Sequence, residues 1–198
     1  MTHYRLTWKS ALASVAGAVY LGLHRRHHAG GLRVAISAPS LDVATALDRL
    51  QSALAFIGTI DPSARKRIDT YVDHVVVWPG PYSAANSWRG IHLSAEYLMI
   101  ARLPRLAGTL VHETTHLRIE RLGIPYRSSL RERIERACIR EEAHFLRKIP
   151  ETGDQFAKEV EAELESEWWT NDSHNRTVDK AVERGELPRW AARLVRRR

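Results

Sequence analysis

Val111-His112-Glu113-Thr114-Thr115-His116-Leu117 stands inside a stretch that reads as helix from Pro104 to Leu122. Pro104 suits a first helical position, and Gly123 followed by Pro125 ends the helix in the usual order. Leu106, Leu110, Val111, Leu117 and Leu122 supply its apolar face. His112 and His116 are four residues apart, so both imidazoles leave one face of the helix one turn apart. That is the spacing two ligands of one tetrahedral ion require. Glu113 projects about 100° from His112, beside the ligands rather than between them. It can therefore reach a water on such an ion as a base without ligating. The single cysteine, Cys138, rules out an intramolecular disulfide and any zinc site with two or more Cys ligands, which directs a metal site towards His and Glu.

The next helix is read outward from this one. Ser129-x-x-Glu132 is a capping-box signature that opens a helix running to Pro150, with Leu130, Ile134, Ala137, Cys138, Phe145 and Ile149 as its buried stripe. Zinc needs a third protein ligand, and this helix offers Glu132, Glu135, Glu141 and Glu142. Glu135 follows His116 by nineteen residues, across a loop short enough for antiparallel packing. Glu135, Cys138 and Glu142 share one face, next to the apolar stripe. Carboxylates in such a place need partners, and a cation is one. We assign Glu132 to the cap, Glu141 to pairing with Arg, and Glu135 to the metal. The competing reading of Glu135 is a surface salt bridge to Arg131, Arg136 or Arg140. Cys138 is read as a small buried residue, since no His is placed to activate it as a nucleophile.

Elsewhere, Leu41, Val43, Ala44, Leu47, Leu50, Leu54 and Ile57 recur at helical spacing, with Ser40 as N-cap and Gly58 as the stop. Pro62-Ser63 opens a second helical piece. Val75-Val76-Val77-Trp78 reads as a buried strand closed by Pro79-Gly80-Pro81, and Trp88 to Ser94 as a second strand antiparallel to it. Gln155 to Trp169 reads as an acidic helix, with Trp168, Trp169 and Trp190 clamping this arm to the domain. The expected fold class is α+β: a mostly helical domain with a small antiparallel hairpin or sheet beside the motif helix. The expected organisation is a basic segment over 1–37, the domain over 38–150, and a helical arm over 151–198.

The chain has 198 residues and a formal net charge of +7. The excess lies at the two ends and around residues 104–150, while residues 151–188 carry eleven acids against four basic residues. That distribution argues against nucleic acid as the main partner, because a binder concentrates positive charge on its folded core. Ser10 to Leu23 is an uncharged run of fourteen residues, shorter than the about 20 that span a bilayer. With the His24, His27, His28 flank it is read as a peripheral or core helix, so that residues 1–28 could lie on a membrane surface. The flank itself is read as solvated. Location in the cytoplasm is the expectation.

The motif and the Glu about twenty residues downstream resemble the gluzincin branch of the zincin metallopeptidases. Residues 111–150 also resemble a group of small zinc-metallopeptidase-like proteins that couple a VHExTH helix to a helix of the form R-I-E-x-x-C-x-x-x-E-x-x-F. In this chain those positions are Arg133, Ile134, Glu135, Cys138, Glu142 and Phe145. The resemblance covers about a fifth of the chain. It implies a minimal zincin-like domain holding one Zn²⁺ per chain on His112, His116 and Glu135, with Glu113 as general base and a peptide or protein as substrate. It also implies an edge strand above the motif helix that receives the substrate, for which Gly90-Ile91-His92-Leu93-Ser94 is the choice. Larger gluzincins place an Asp four residues after the ligand Glu. Ile139 stands there, so support for a zinc His falls to Glu142, which is also the alternative third ligand. Tyr126, His92 and His144 are open as substrate or transition-state contacts. Two other functions stay open: a zinc-binding regulatory or structural protein with little proteolysis, and a basic helical binder of nucleic acid or membrane surfaces.

Overall fold

A computed structural model of the protein describes residues 26–38, 41–79, 84–87, 90–126 and 128–166, with isolated helical positions at 176, 179, 180, 182 and 183. The uncharged run 10–23, His24, the Trp168, Trp169 and Trp190 clamp and the basic tail 189–198 lie outside the described residues. Among those described, no helix is long and apolar enough to cross a membrane.

The fold is α+β and mostly helical, with one five-stranded mixed sheet. The strands are β1 (Arg26–Ala29), β2 (Leu32–Ile36), β3 (His74–Trp78), β4 (Ala84–Ser87) and β5 (Gly90–Ser94), in the order β1-β2-β3-β5-β4. β1 and β2 form a hairpin on Gly30 and Gly31, both at positive φ (53° and 87°). A two-residue hairpin loop with both residues left-handed matches the twist of the flanking strands. The hairpin shows that the sheet begins before residue 38. His27 and His28 belong to its edge strand, and β2 buries Leu32, Val34 and Ala35.

The two central pairings, β2 with β3 and β3 with β5, are parallel. The strands over 74–78 and 90–94 are therefore not the antiparallel hairpin expected from sequence. The antiparallel partner of β5 is β4, which forms the outer edge. β5 is thus an interior strand with both its hydrogen-bonding edges used, and it cannot accept an added strand.

The helices are α1 (Val43–Ile60), α2 (Pro62–Tyr71), α3 (Ala95–Ile100), α4 (Leu103–Arg121), α5 (Ser128–Leu146) and α6 (Gly153–Ala162), followed by a 3-10 turn (Glu163–Ser166). α1 starts on Asp42, whose carboxylate accepts from the Ala44 N–H at 3.1 Å, and it runs through Gly58. Ser129 lies inside α5, and Glu132 is exposed and paired with Arg136 at 2.9 Å rather than used in a cap. Glu141 does pair with arginines, Arg67 at 3.6 Å and Arg118 at 3.7 Å. The core joins Leu50, Leu54 and Ile57 of α1, Ile68 of α2, Val75, Val77, Ile91 and Leu93 of the sheet, and Leu106 and Leu110 of α4. By strand alternation, His74, Val76 and His92 project from the other face of the sheet. α6 adds Phe156, Ala157 and Val160, so the core continues past Pro150.

Asp61 ties three helices together. It ends α1, and its Oδ1 accepts from the N–H groups of Ser63 and Ala64 at 3.0 and 3.1 Å, capping α2. Its Oδ2 accepts from Lys148 beyond α5 at 2.7 Å. Burial pushes its pKa up, but Lys148, the Ala64 N–H and Arg67 outweigh that and hold it below the usual carboxylate value. Asp61→Ala is expected to lower the unfolding free energy by about 1–3 kcal/mol, read from denaturant titrations at neutral pH. Because the folded pKa is depressed, the carboxylate's contribution is complete above its unfolded pKa and is lost as pH falls through the folded one. The gap between wild type and variant should therefore close in acid.

Candidate metal centre

One turn of α4 is polar and buried all round: His112, Glu113, Thr114, Thr115 and His116 are each at most 9% exposed. Burying five polar side chains in a row is costly unless each has a partner. The two threonines bond back to their own helix, Thr114 Oγ1 to the Leu110 carbonyl at 2.7 Å and Thr115 Oγ1 to the Val111 carbonyl at 2.9 Å. The histidines are answered from α5, which packs along α4.

Glu135, 2% exposed, turns its Oε2 to both imidazoles, 3.5 Å from His112 Nε2 and 3.4 Å from His116 Nε2. The two Nε2 atoms are 3.1 Å apart. Glu135 Oε2 is buried and has no hydrogen-bond partner. Three atoms able to bind a metal, His112 Nε2, His116 Nε2 and Glu135 Oε2, thus lie within 3.5 Å of one another. A zinc ion about 2.0–2.1 Å from each of three tetrahedral N or O donors would hold them about 3.3 Å apart. The donor set fits zinc in number, chemistry and separation. Among the described residues the ion-pair partners of Glu135 are His112 and His116, while Arg136 pairs with Glu132.

Glu142, two turns along the same face of α5, accepts a hydrogen bond from His112 Nδ1 on Oε2 at 3.1 Å. An ionised carboxylate only accepts, so Nδ1 carries a proton and Nε2 is the ring atom that faces the cluster. Glu142 therefore orients the His112 ring, an arrangement also found where carboxylates position metal-binding histidines. Its Oε1 lies 3.5 Å from Arg105, which also pairs with Glu163 at 2.7 Å. Arg105, not singled out from the sequence, precedes His112 by seven residues, two turns along one helix face, and that spacing is the one signal for it.

Gly108 makes the approach of the two helices possible. A Cβ there would lie 2.9 Å from Glu142 Oε1, 3.2 Å from its Cγ and 3.3 Å from Leu146 Cδ2. In an ordinary helix Gly→Ala is stabilising. Here Gly108→Ala is expected to displace Glu142 and lower zinc affinity about 10–100-fold, the usual cost of disturbing the partner of a metal-binding His. Competition with a chelating dye measures this.

The imidazoles and carboxylates of the cluster shift one another. Burial opposes a charged His112, but the Glu135 and Glu142 carboxylates outweigh it and hold the imidazole pKa well above its ordinary value. Burial likewise opposes a charged Glu135, yet His112 and His116 hold its pKa far below the carboxylate range. Cys138, one turn after Glu135, is fully buried, and its sulfur and one ligand atom of each His lie within 4.8 Å of one another. Burial, then Glu135, Glu113 and Glu142, push the thiol pKa far up. In the absence of a cation Cys138 is a neutral thiol, in line with its reading as a buried packing residue.

Of the three open contact residues, the structure brings one to the site. The Tyr126 hydroxyl donates to Glu135 Oε1, and its ring meets His116 edge-on, with centroids 5.5 Å apart. The buried Arg131 guanidinium lies over the Tyr126 ring, 5.2 Å from its centroid. His92 projects from the sheet face opposite Ile91 and Leu93, away from α4, and burial beside His74 lowers its pKa to about 4. His144 is exposed, two residues and therefore about 200° around α5 from Glu142. β4, which the sequence reading passed over, lies at the sheet edge against α4.

No protein-family model, curated protein or solved structure matches the chain.

Proposed function

We propose that the protein is a zinc-dependent peptidase whose single zinc ion is held by His112, His116 and Glu135. The observation that carries this reading is the convergence of three buried donors, 3.1 to 3.5 Å apart, one of which has no hydrogen bond. Zinc bound there supplies Lewis acidity, polarising a carbonyl and making a water acidic near neutral pH. Glu113, buried next to His112, takes the proton of the attacking water and passes it to the leaving amine. Glu142 keeps the His112 ring fixed through its Nδ1 proton. Tyr126, at the partly exposed rim, steadies Glu135 through the proton its hydroxyl donates to Oε1, and in the transition state that same proton would turn to the developing oxyanion. The substrate is a peptide or protein segment added as a strand on the outer edge of β4, which among the described residues pairs with no strand other than β5 and which replaces β5 in that role.

The same donors support a second reading, a zinc-binding protein with little proteolysis, on one observation. The Cys138 sulfur beside the histidines could complete a four-donor set, and closed sets are structural. The two readings separate on a broad peptide library. Zinc-loaded protein is expected to cleave it, to stop on chelation and to resume when zinc is restored. A zinc-loaded protein that cleaves nothing in the library favours the second reading.

A further inference from the structure

Cys138 has no part in the hydrolysis just described, yet it belongs to the same cluster. It is fully buried on α5, one turn after Glu135, and its sulfur lies within 4.8 Å of a ligand atom on each of His112 and His116. Independently, Glu135 Oε2 is buried at the same place with no hydrogen-bond partner. The two histidines thus stand between two further donors of α5, the Glu135 oxygen at 3.4 and 3.5 Å from their Nε2 atoms and the Cys138 sulfur within 4.8 Å of a ring nitrogen on each. Sulfur is not a donor that magnesium or calcium sites use, whereas zinc accepts it together with imidazole and carboxylate.

We propose that Cys138 is a fourth protein donor to the cation held by His112, His116 and Glu135, and that its sulfur competes with water for the remaining position. The inference rests on the metal site proposed above and adds a restraint on its activity. A metal bound there would form a bond to the sulfur with loss of the thiol proton to solvent, since a coordinating thiol is deprotonated outright. Water taking that position would displace the sulfur, which would recover a proton from solvent. The four-donor set favours zinc and cobalt over magnesium and manganese, and it slows hydrolysis in the resting protein.

Cobalt(II) in place of zinc tests this on the full-length protein, because a thiolate donor gives an intense near-ultraviolet charge-transfer band, while the visible bands report the ion's binding. Wild type is expected to show both. Cys138→Ser and Cys138→Ala are expected to lose the near-ultraviolet band, keep the visible bands and cleave peptides faster at equal metal content. His116→Ala is expected to lose both sets of bands. Visible bands in wild type without the near-ultraviolet band overturn the assignment of Cys138 and leave the metal site standing. Absence of visible bands in wild type overturns both.

Discussion

Glu113→Gln is expected to lower kcat/KM for peptide hydrolysis by about 10²–10⁴-fold, the range that a positioned general base supplies. The amide keeps the shape of the side chain and removes its ability to take a proton. Glu113 is not among the three converging donors, so the variant is expected to keep the zinc content of the wild type. That combination separates a lost base from a lost site. A variant without zinc would place Glu113 in the metal's coordination. Undiminished hydrolysis with zinc in place would move the base to another residue.

His116→Ala is expected to abolish stoichiometric zinc binding and, with it, hydrolysis. It removes one of the two nitrogens and leaves Glu135 Oε2, buried and without a hydrogen bond, facing a gap. The loss should also register in stability. A ligand present at a thousand times its Kd stabilises the folded state by about 4 kcal/mol. For a chain of this length that corresponds to roughly 8–16 °C in Tm. Chelation should lower the wild-type Tm by about that much and leave His116→Ala unchanged.

The candidate site was legible because helical periodicity links residues that sit near one another in the chain. The spacing of His112 and His116, and of Glu135 and Glu142, placed four groups on two facing helix surfaces, and the structure brings those groups together. Glu142, named as the support for a zinc His, is the group on His112 Nδ1. The sheet was less legible because a strand's partners are not written in its own residues. Val75 to Trp78 reads as buried in either orientation, and only the pairing with β2 makes it a central parallel strand. β2 itself was concealed within a stretch read for its basic residues, although Gly30-Gly31 is a hairpin signal. β4, Ala-Ala-Asn-Ser, has little intrinsic strand preference and is held by its ladder to β5. His92 and His144 show how phase decides a role. Each is adjacent or nearly adjacent to a well-placed residue, and each is turned away by the alternation of a strand or the 100° step of a helix.

Zinc affinity measured side by side for wild type, Glu135→Ala and Glu142→Ala tests the central claim most directly. The three-donor site predicts one zinc per wild-type chain. It predicts a loss for Glu142→Ala of about 10–100-fold, as for a partner of a ligand, and a larger loss for Glu135→Ala. Wild-type affinity in Glu135→Ala, or no zinc in the wild type, would contradict it.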